Sequence, residues 1–170
     1  MKINGLTVID NYIDAKTHDD LIVNINNSYW SKSLSGYIQH YGYVYNYNSY
    51  GIEQSAPIPE WITALFPNKN YDQCIINRYL PGEGIAPHID SPIFADEICT
   101  LSIGSKCIMY FTKNTDVKQV ILKPCSLLIM KGDARNDWKH SISAQKSDLI
   151  DRLRKKRETR YSITMRTIKK

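Results

Sequence analysis

The stretch RYSITMR, residues 160–166, alternates by residue type: Arg160, Ser162, Thr164 and Arg166 fall on one side of an extended chain, and Tyr161, Ile163 and Met165 on the other. One face is wholly polar. If the apolar face packs on a core, the two arginines lie either in water or inside a closed roll. Inside, each charge is costly unless an anion pairs with it, and a dicarboxylate meets that need because guanidinium and carboxylate match as a bidentate fork. An exposed basic edge strand is the alternative on pattern alone.

Working back from this segment, QCIINRYL, EICTLSIG, KCIMYF, KQVIL and SLLIMK are short β-branched runs separated by turn signals such as PGEG. Evenly spaced strands of this kind predict a sandwich or rolled-up barrel rather than alternating β-α units. The first third is mixed. Residues 5–13 read as a short strand or turn, and DAKTHDDLIVNINNS offers Asp14 as an N-cap with helical spacing of Leu21, Ile22 and Ile25. PEWITALF predicts a second short helix, with Pro59 suited to its first turn. The expected architecture is mainly β with flanking helices, an α+β protein: a β-roll core with two N-terminal helices on one outer face. No repeat or linker divides residues 1–170, which are read as one domain, with about 1–72 an N-terminal extension and about 73–170 the core.

A chain of 170 residues with 42% hydrophobic content can bury a core without disulfides. No apolar run approaches the roughly 20 residues a membrane span needs, and the N-terminus lacks the pattern of a secretory signal, so an intracellular, cytoplasmic or nuclear, protein with no membrane role is expected. Cys74, Cys99, Cys107 and Cys125 are scattered and read as buried thiols. The net charge of +5 is concentrated in RLRKKRETR, residues 152–160, and in the terminal RTIKK. It suits a polyanionic partner, and equally a solvated basic loop that binds nothing.

The stretch APHIDSPIF, residues 86–94, puts His88 and Asp90 on one side of an extended chain, where an imidazole and a carboxylate can share a cation. The pair alone is a weak signal and a third ligand is needed. His18 lies in a polar helix start, His40 in an aromatic-rich segment, and His140 after the passage GDARNDWK, read as strand-turn-strand. His88, Asp90 and His140 would make the two-His, one-carboxylate set of non-haem Fe(II) oxygenases, which leaves open positions for a cosubstrate and O2. A zinc hydrolase can use the same donors but has no use for Arg160 and Arg166 on a pocket face.

Taken together, GLTVIDNYID, QHYGYVYNY, NRYLPGEGIAPHID, LSIGS, SLLIMKGDARNDWKHSI and RYSITMR resemble the AlkB family of Fe(II)- and 2-oxoglutarate-dependent dioxygenases in order and spacing, including Asn77 eleven residues before His88. The resemblance implies a double-stranded β-helix, a jelly-roll variant, with an N-terminal nucleotide-recognition lid. It implies iron on His88, Asp90 and His140, which form the catalytic set. It places Arg160 on the distal carboxylate of 2-oxoglutarate, Arg166 near the other end, and Asn77 and Tyr79 as hydrogen-bond partners of the cosubstrate. Ser162 stands where the family commonly has Asn, a shorter group that can still donate. Arg135 and Trp138 precede the distal His and are expected to shape the pocket.

The reaction so implied consumes 2-oxoglutarate and O2, releases succinate and CO2, and hydroxylates a C–H bond. Repair-type members place an acidic residue where this chain has Pro92, and HIDSPIFADEICTLSIGS is closer to the branch that hydroxylates a modified wobble uridine in tRNA. The expected substrate is therefore a modified or alkylated base in nucleic acid, with RNA or tRNA preferred over single-stranded DNA. A separate tRNA-binding protein is an expected partner, and a monomer is assumed. In YIQHYGYVYNYNSY, residues 37–50, Tyr41, Tyr43 and Tyr45 are candidates to stack on an unpaired base, or else form one face of a hairpin packed on the roll. The competing readings are a 2-oxoglutarate oxygenase acting on a protein or small molecule, and a binding module that keeps the fold without catalysis.

Overall fold

The computed structural model describes residues 2–33, 36–46, 51–66 and 69–169, with the side chains of 33, 45 and 46 outside the description. The chain starts with β1 (Leu6–Ile9) and α1 (Ala15–Asn27), then β2 (Ser31–Ser33), β3 (Gly36–Asn46), β4 (Gly51–Gln54) and the single turn α2 (Glu60–Thr63). Next come β5 (Gln73–Tyr79), β6 (Ile85–His88), β7 (Phe94–Gly104), β8 (Cys107–Lys113), β9 (Asp116–Leu122) and β10 (Leu127–Met130). After α3 (Gly132–Asn136) follow β11 (Lys139–Ile142), β12 (Ser147–Ile150), β13 (Leu153–Lys156) and β14 (Arg160–Ile168). Asp14 caps α1 as its sequence suggests, its carboxylate accepting from the Thr17 amide at 2.8 Å.

Two antiparallel sheets make the roll. The larger runs β1-β10-β7-β14-β5-β3-β2, with β4 on β3, and the smaller runs β6-β11-β8-β9. The first 72 residues are joined to the rest by β1 pairing with β10 and β3 pairing with β5. Strand alternation in β14 separates two cores. Tyr161, Ile163 and Met165 pack outward with Cys74, Ile76 and Leu101 against Leu21 and Ile25 of α1 and Ile62 of α2. This is the outer helical layer the sequence predicts. Between the sheets, Ile98, Met109, Phe111, Leu122, Leu128 and Met130 form the second core. The polar face of β14 points into the roll: Arg160, Ser162 and Thr164 are buried. Of the cysteines, all unpaired, Cys74, Cys99 and Cys107 are buried and Cys125 is half-buried.

One element departs from the sequence reading. The passage read as strand-turn-strand contains α3, organised by a distant acceptor: Asp96 takes hydrogen bonds from the Gly132 amide at 3.0 and 3.1 Å and from Asn136 Nδ2 at 2.8 Å. The basic stretch forms a hairpin, β12–β13, whose turn holds Asp151 and Arg152 at positive φ. One arginine of the stretch, Arg157, is not solvated. It is buried and makes a bidentate pair with Asp148, at 2.6 Å from Nε and 2.7 Å from Nη2.

Candidate active site

The pairing of β6 with β11 places His88 directly opposite His140, with ring centroids 4.2 Å apart. Asp90 lies two residues beyond the end of β6, buried, with Oδ2 3.6 Å from His140 Nε2. One donor atom from each of the three residues lies within 4.8 Å of the others, so together they could hold a metal ion. His88 Nδ1 is 2.9 Å from the Ala86 carbonyl. A proton on Nδ1 makes that bond and leaves Nε2 as the free donor.

Burial alone pushes the Asp90 carboxyl up, but the neighbouring charges, Arg166 first, outweigh it and hold it below the usual carboxylate range. His140 is pushed down to about 4, chiefly by burial and against the attraction of Asp90. At neutral pH the cluster thus presents a carboxylate and a neutral His140 imidazole, the forms that ligate metals. Arg166 Nη2 makes a close ion pair with Asp90 Oδ1, and its Nη1 donates to Gln73 Oε1 at 3.1 Å.

Asn77, Tyr79, Ser162, Thr164, Arg160 and Arg166 line the same pocket as the cluster. They converge because β5 and β14 pair in register, Tyr79 opposite Arg160 and Asn77 opposite Ser162. Arg160 is 3% exposed and donates from Nη2 to Ser102 Oγ at 3.1 Å, and its charge lies over the Tyr79 ring at 5.4 Å. Its Nε and Nη1 are buried without a hydrogen-bond partner among the described residues. A buried guanidinium with two unmatched donors suits a carboxylate. The residues present therefore fit both a divalent metal and a carboxylate cosubstrate.

Other expected site residues lie elsewhere. Tyr41 does not face the pocket: it packs on the outer helical core, and its hydroxyl donates to Gln39 Oε1 at 3.1 Å. Alternation along β3 puts it on the side opposite the register partners of Asn77. Tyr43 follows Gly42, whose φ of 78° stands where β3 passes from pairing with β5 to pairing with β4, and it is exposed and lines no part of the pocket. The Tyr45 side chain lies outside the described residues. Trp138 packs against the inner core, away from the pocket lining.

Arg135 does not line the pocket either. Buried, it donates from Nη1 to the Asp90 carbonyl at 3.0 Å and from Nη2 to the carbonyls of Ser91 at 2.7 Å and Phe94 at 3.4 Å. It clamps the main chain that carries Asp90. Sequence reasoning also missed Gln73, whose amide bridges Arg166 and the Tyr43 carbonyl. The signal was available: Gln73 stands four residues before Asn77 and so shares its face of β5.

Comparison with known proteins agrees with this geometry. Residues 28–166 match the 2OG-Fe(II) oxygenase superfamily. An uncharacterised protein of Acanthamoeba polyphaga mimivirus is 35% identical over 180 residues, covering 98% of this chain and 86% of that one. The tRNA (carboxymethyluridine(34)-5-O)-methyltransferase ALKBH8 of Mus musculus is 32% identical over 167 residues, 86% of this chain but 25% of the larger enzyme. The chain thus spans about a quarter of that relative's length. Among solved structures, OsALKBH1 superposes with a TM-score of 0.74 at 16% identity, covering 96% of both chains. A Pseudomonas putida prolyl-4-hydroxylase superposes with a TM-score of 0.67 at 10% identity, covering 98% of this chain and 93% of that one, a likeness of fold. A jelly roll holding a His-Asp-His cluster beside a buried arginine, matched over most of its length, places this chain in the 2OG-Fe(II) oxygenase superfamily, as an AlkB-like enzyme dependent on Fe(II) and 2-oxoglutarate.

Proposed function

We propose that the protein oxidises a modified or alkylated base in nucleic acid, with RNA, and tRNA in particular, as the preferred substrate. The observation that carries the chemistry is the pocket that Arg160, with Nε and Nη1 unmatched among the described residues, lines together with the His88, Asp90 and His140 cluster. In this reading those three residues hold Fe(II), Arg160 pairs with the distal carboxylate of 2-oxoglutarate, and Asn77, Tyr79 and Ser162 line the cosubstrate. When bound, Fe(II) and 2-oxoglutarate would allow O2 to act as the oxidant, one oxygen atom entering succinate as CO2 leaves and the other entering a C–H bond.

The chain's own residues supply order. Arg166 and Arg135 fix Asp90 from its side chain and its main chain. The Ala86 carbonyl orients His88, and Thr100 and Thr164 satisfy each other at 3.1 Å on the pocket wall. The nucleic-acid assignment rests on the relatives, whose names include tRNA methyltransferase and RNA demethylase, and on the surplus of basic residues. If the oxidised carbon is an N-methyl group, the hydroxylated product releases formaldehyde; on any other carbon the hydroxyl stays.

The test is succinate release with Fe(II), ascorbate and 2-oxoglutarate, with and without total tRNA, and with methylated single-stranded DNA in parallel. A His88→Ala chain is the metal-free control. Stimulation by tRNA without formaldehyde indicates hydroxylation, and stimulation with formaldehyde indicates demethylation. Stimulation by neither nucleic acid refutes the assignment.

A further inference from the structure

The inward face of the large sheet continues beyond the pocket. Across three paired strands, Thr164 stands opposite Ile75 and Ile75 opposite His40, while Ser162, Asn77 and Ile38 form the next rung. Residues on one rung share a face, so Ile38 and His40 extend the pocket side of β14 across β5 and onto β3. Their neighbour Gln39 confirms the alternation: its amide turns the other way and donates to the Ile25 carbonyl of α1 at 2.8 Å. On β7 and β14 this face is covered, with Thr100, Ser102, Ser162 and Thr164 each at most 8% exposed. On β5 and β3 it is covered less completely, and Ile75, Asn77, Ile38 and His40 are all half-buried. A shelf therefore runs from the pocket, with two isoleucines and one imidazole along it.

His40 is the polar group of that shelf. Its Nδ1 is buried and has no hydrogen-bond partner among the described residues. A native structure rarely leaves such an atom unmatched without a reason. Burial, and after it the charge of Arg166, keeps the imidazole below its usual pKa. Arg166 in turn is bound to Asp90, so the charge that acts on His40 also holds one member of the His-Asp-His cluster.

We infer that the substrate base lies on the shelf of Ile38, Ile75 and His40, and that His40 Nδ1 hydrogen-bonds its polar edge. The inference rests on the nucleic-acid reading above and deepens it by assigning base recognition to this face instead of the tyrosines of β3. The apolar isoleucines give a flat ring a surface to cover. Neutral imidazole can donate from or accept at Nδ1 according to its tautomer, which matches a base edge where a ring N–H adjoins a carbonyl. His40 is a positioning residue for the base and does not touch the metal ligands.

The experiment compares wild type with His40→Phe, which keeps ring volume without the nitrogens, and His40→Asn, whose amide reaches roughly the place of Nδ1. Binding of Mn(II) and 2-oxoglutarate is followed by tryptophan fluorescence, and tRNA-dependent succinate release gives kcat and KM. In His40→Phe, kcat/KM for tRNA is expected to fall by about tenfold, the scale of one lost hydrogen bond to a buried group, with metal and cosubstrate affinity retained. His40→Asn should recover most of that loss. Ile38→Trp, which fills the shelf without altering His40, should raise KM for tRNA.

Full tRNA-dependent turnover in both His40→Phe and Ile38→Trp overturns the inference while leaving the nucleic-acid reading intact. Equal loss in His40→Phe and His40→Asn overturns the hydrogen bond. A wild-type protein stimulated by neither tRNA nor methylated DNA overturns the shelf together with the reading it rests on.

Discussion

Replacing Arg160 by Met should move stability and cosubstrate binding in opposite directions. Arg160 is 3% exposed, and among the described residues its only side-chain hydrogen bond goes to Ser102 Oγ. Its burial costs several kcal/mol that no carboxylate among the described residues offsets. Against this, the variant loses the Ser102 bond and the contact over the Tyr79 ring, each worth about 1 kcal/mol. The ligand-free protein should therefore gain about 1–3 kcal/mol, or about 3–9 °C in Tm for a chain of this size. The two unmatched donors would each form a charge-assisted bond with a carboxylate, worth about 1.5–3 kcal/mol. Losing both should weaken 2-oxoglutarate binding by at least about 100-fold. Thermal melts of the ligand-free protein, combined with 2-oxoglutarate titration in the presence of Mn(II), read both effects. A variant that melts lower and binds 2-oxoglutarate as well as wild type refutes the reasoning and makes Arg160 a structural strut.

Arg135→Lys keeps the charge but cannot reach three carbonyls with a fixed fork, so the Asp90 segment loosens and Mn(II) affinity should fall by about 10–100-fold, measured by titration against wild type. Asp148→Ala leaves the buried Arg157 unpaired and should cost about 3–5 kcal/mol in urea denaturation. In the native protein burial raises the Asp148 carboxyl, but hydrogen bonds from Arg157 and Gln145 outweigh it and hold it below the usual range. A carboxyl lowered on folding stabilises above its unfolded value, near pH 4, and that contribution should vanish as pH falls through the folded value; stability measured from pH 7 downward checks it. Gly42→Ala meets both a φ of 78° and the Asp72 carbonyl oxygen at 2.1 Å from the new Cβ, so a loss of more than about 2 kcal/mol is expected in the same denaturation assay.

Most of the roll was legible because its signals are local. The polar-apolar alternation of residues 160–166 places four polar side chains on the inner face, and that single strand brings Arg160, Ser162, Thr164 and Arg166 to one pocket. His88 and His140 could be nominated from donor chemistry because β6 and β11 each carry one imidazole in a short strand. Features fixed by distant partners were not legible. No local pattern announces α3, whose N-terminus is held by Asp96 from β7, or the conversion of one basic residue, Arg157, into a buried ion pair.

The tyrosines show why composition misleads about faces. An aromatic-rich strand beside a pocket invites the reading that its rings stack on the substrate. In β3, however, the outward positions meet α1 and the apolar layer, which is where a large ring gains most from burial, and Tyr41 goes there. The inward positions are left to Ile38 and His40, residues with nothing unusual in their local sequence. Their significance appears only when β3 is set beside β5 and β14 and each rung is followed to Thr164 and Ser162. Pairing register, more than residue type, decides which side chains share the face of the pocket. If the base lies on the proposed shelf, a specificity change is to be sought at positions 38, 40 and 75 before the tyrosines at 41 and 43. Exchanging Tyr41 should register first as lost stability, through its packing on the outer core, and only weakly in KM for the nucleic acid.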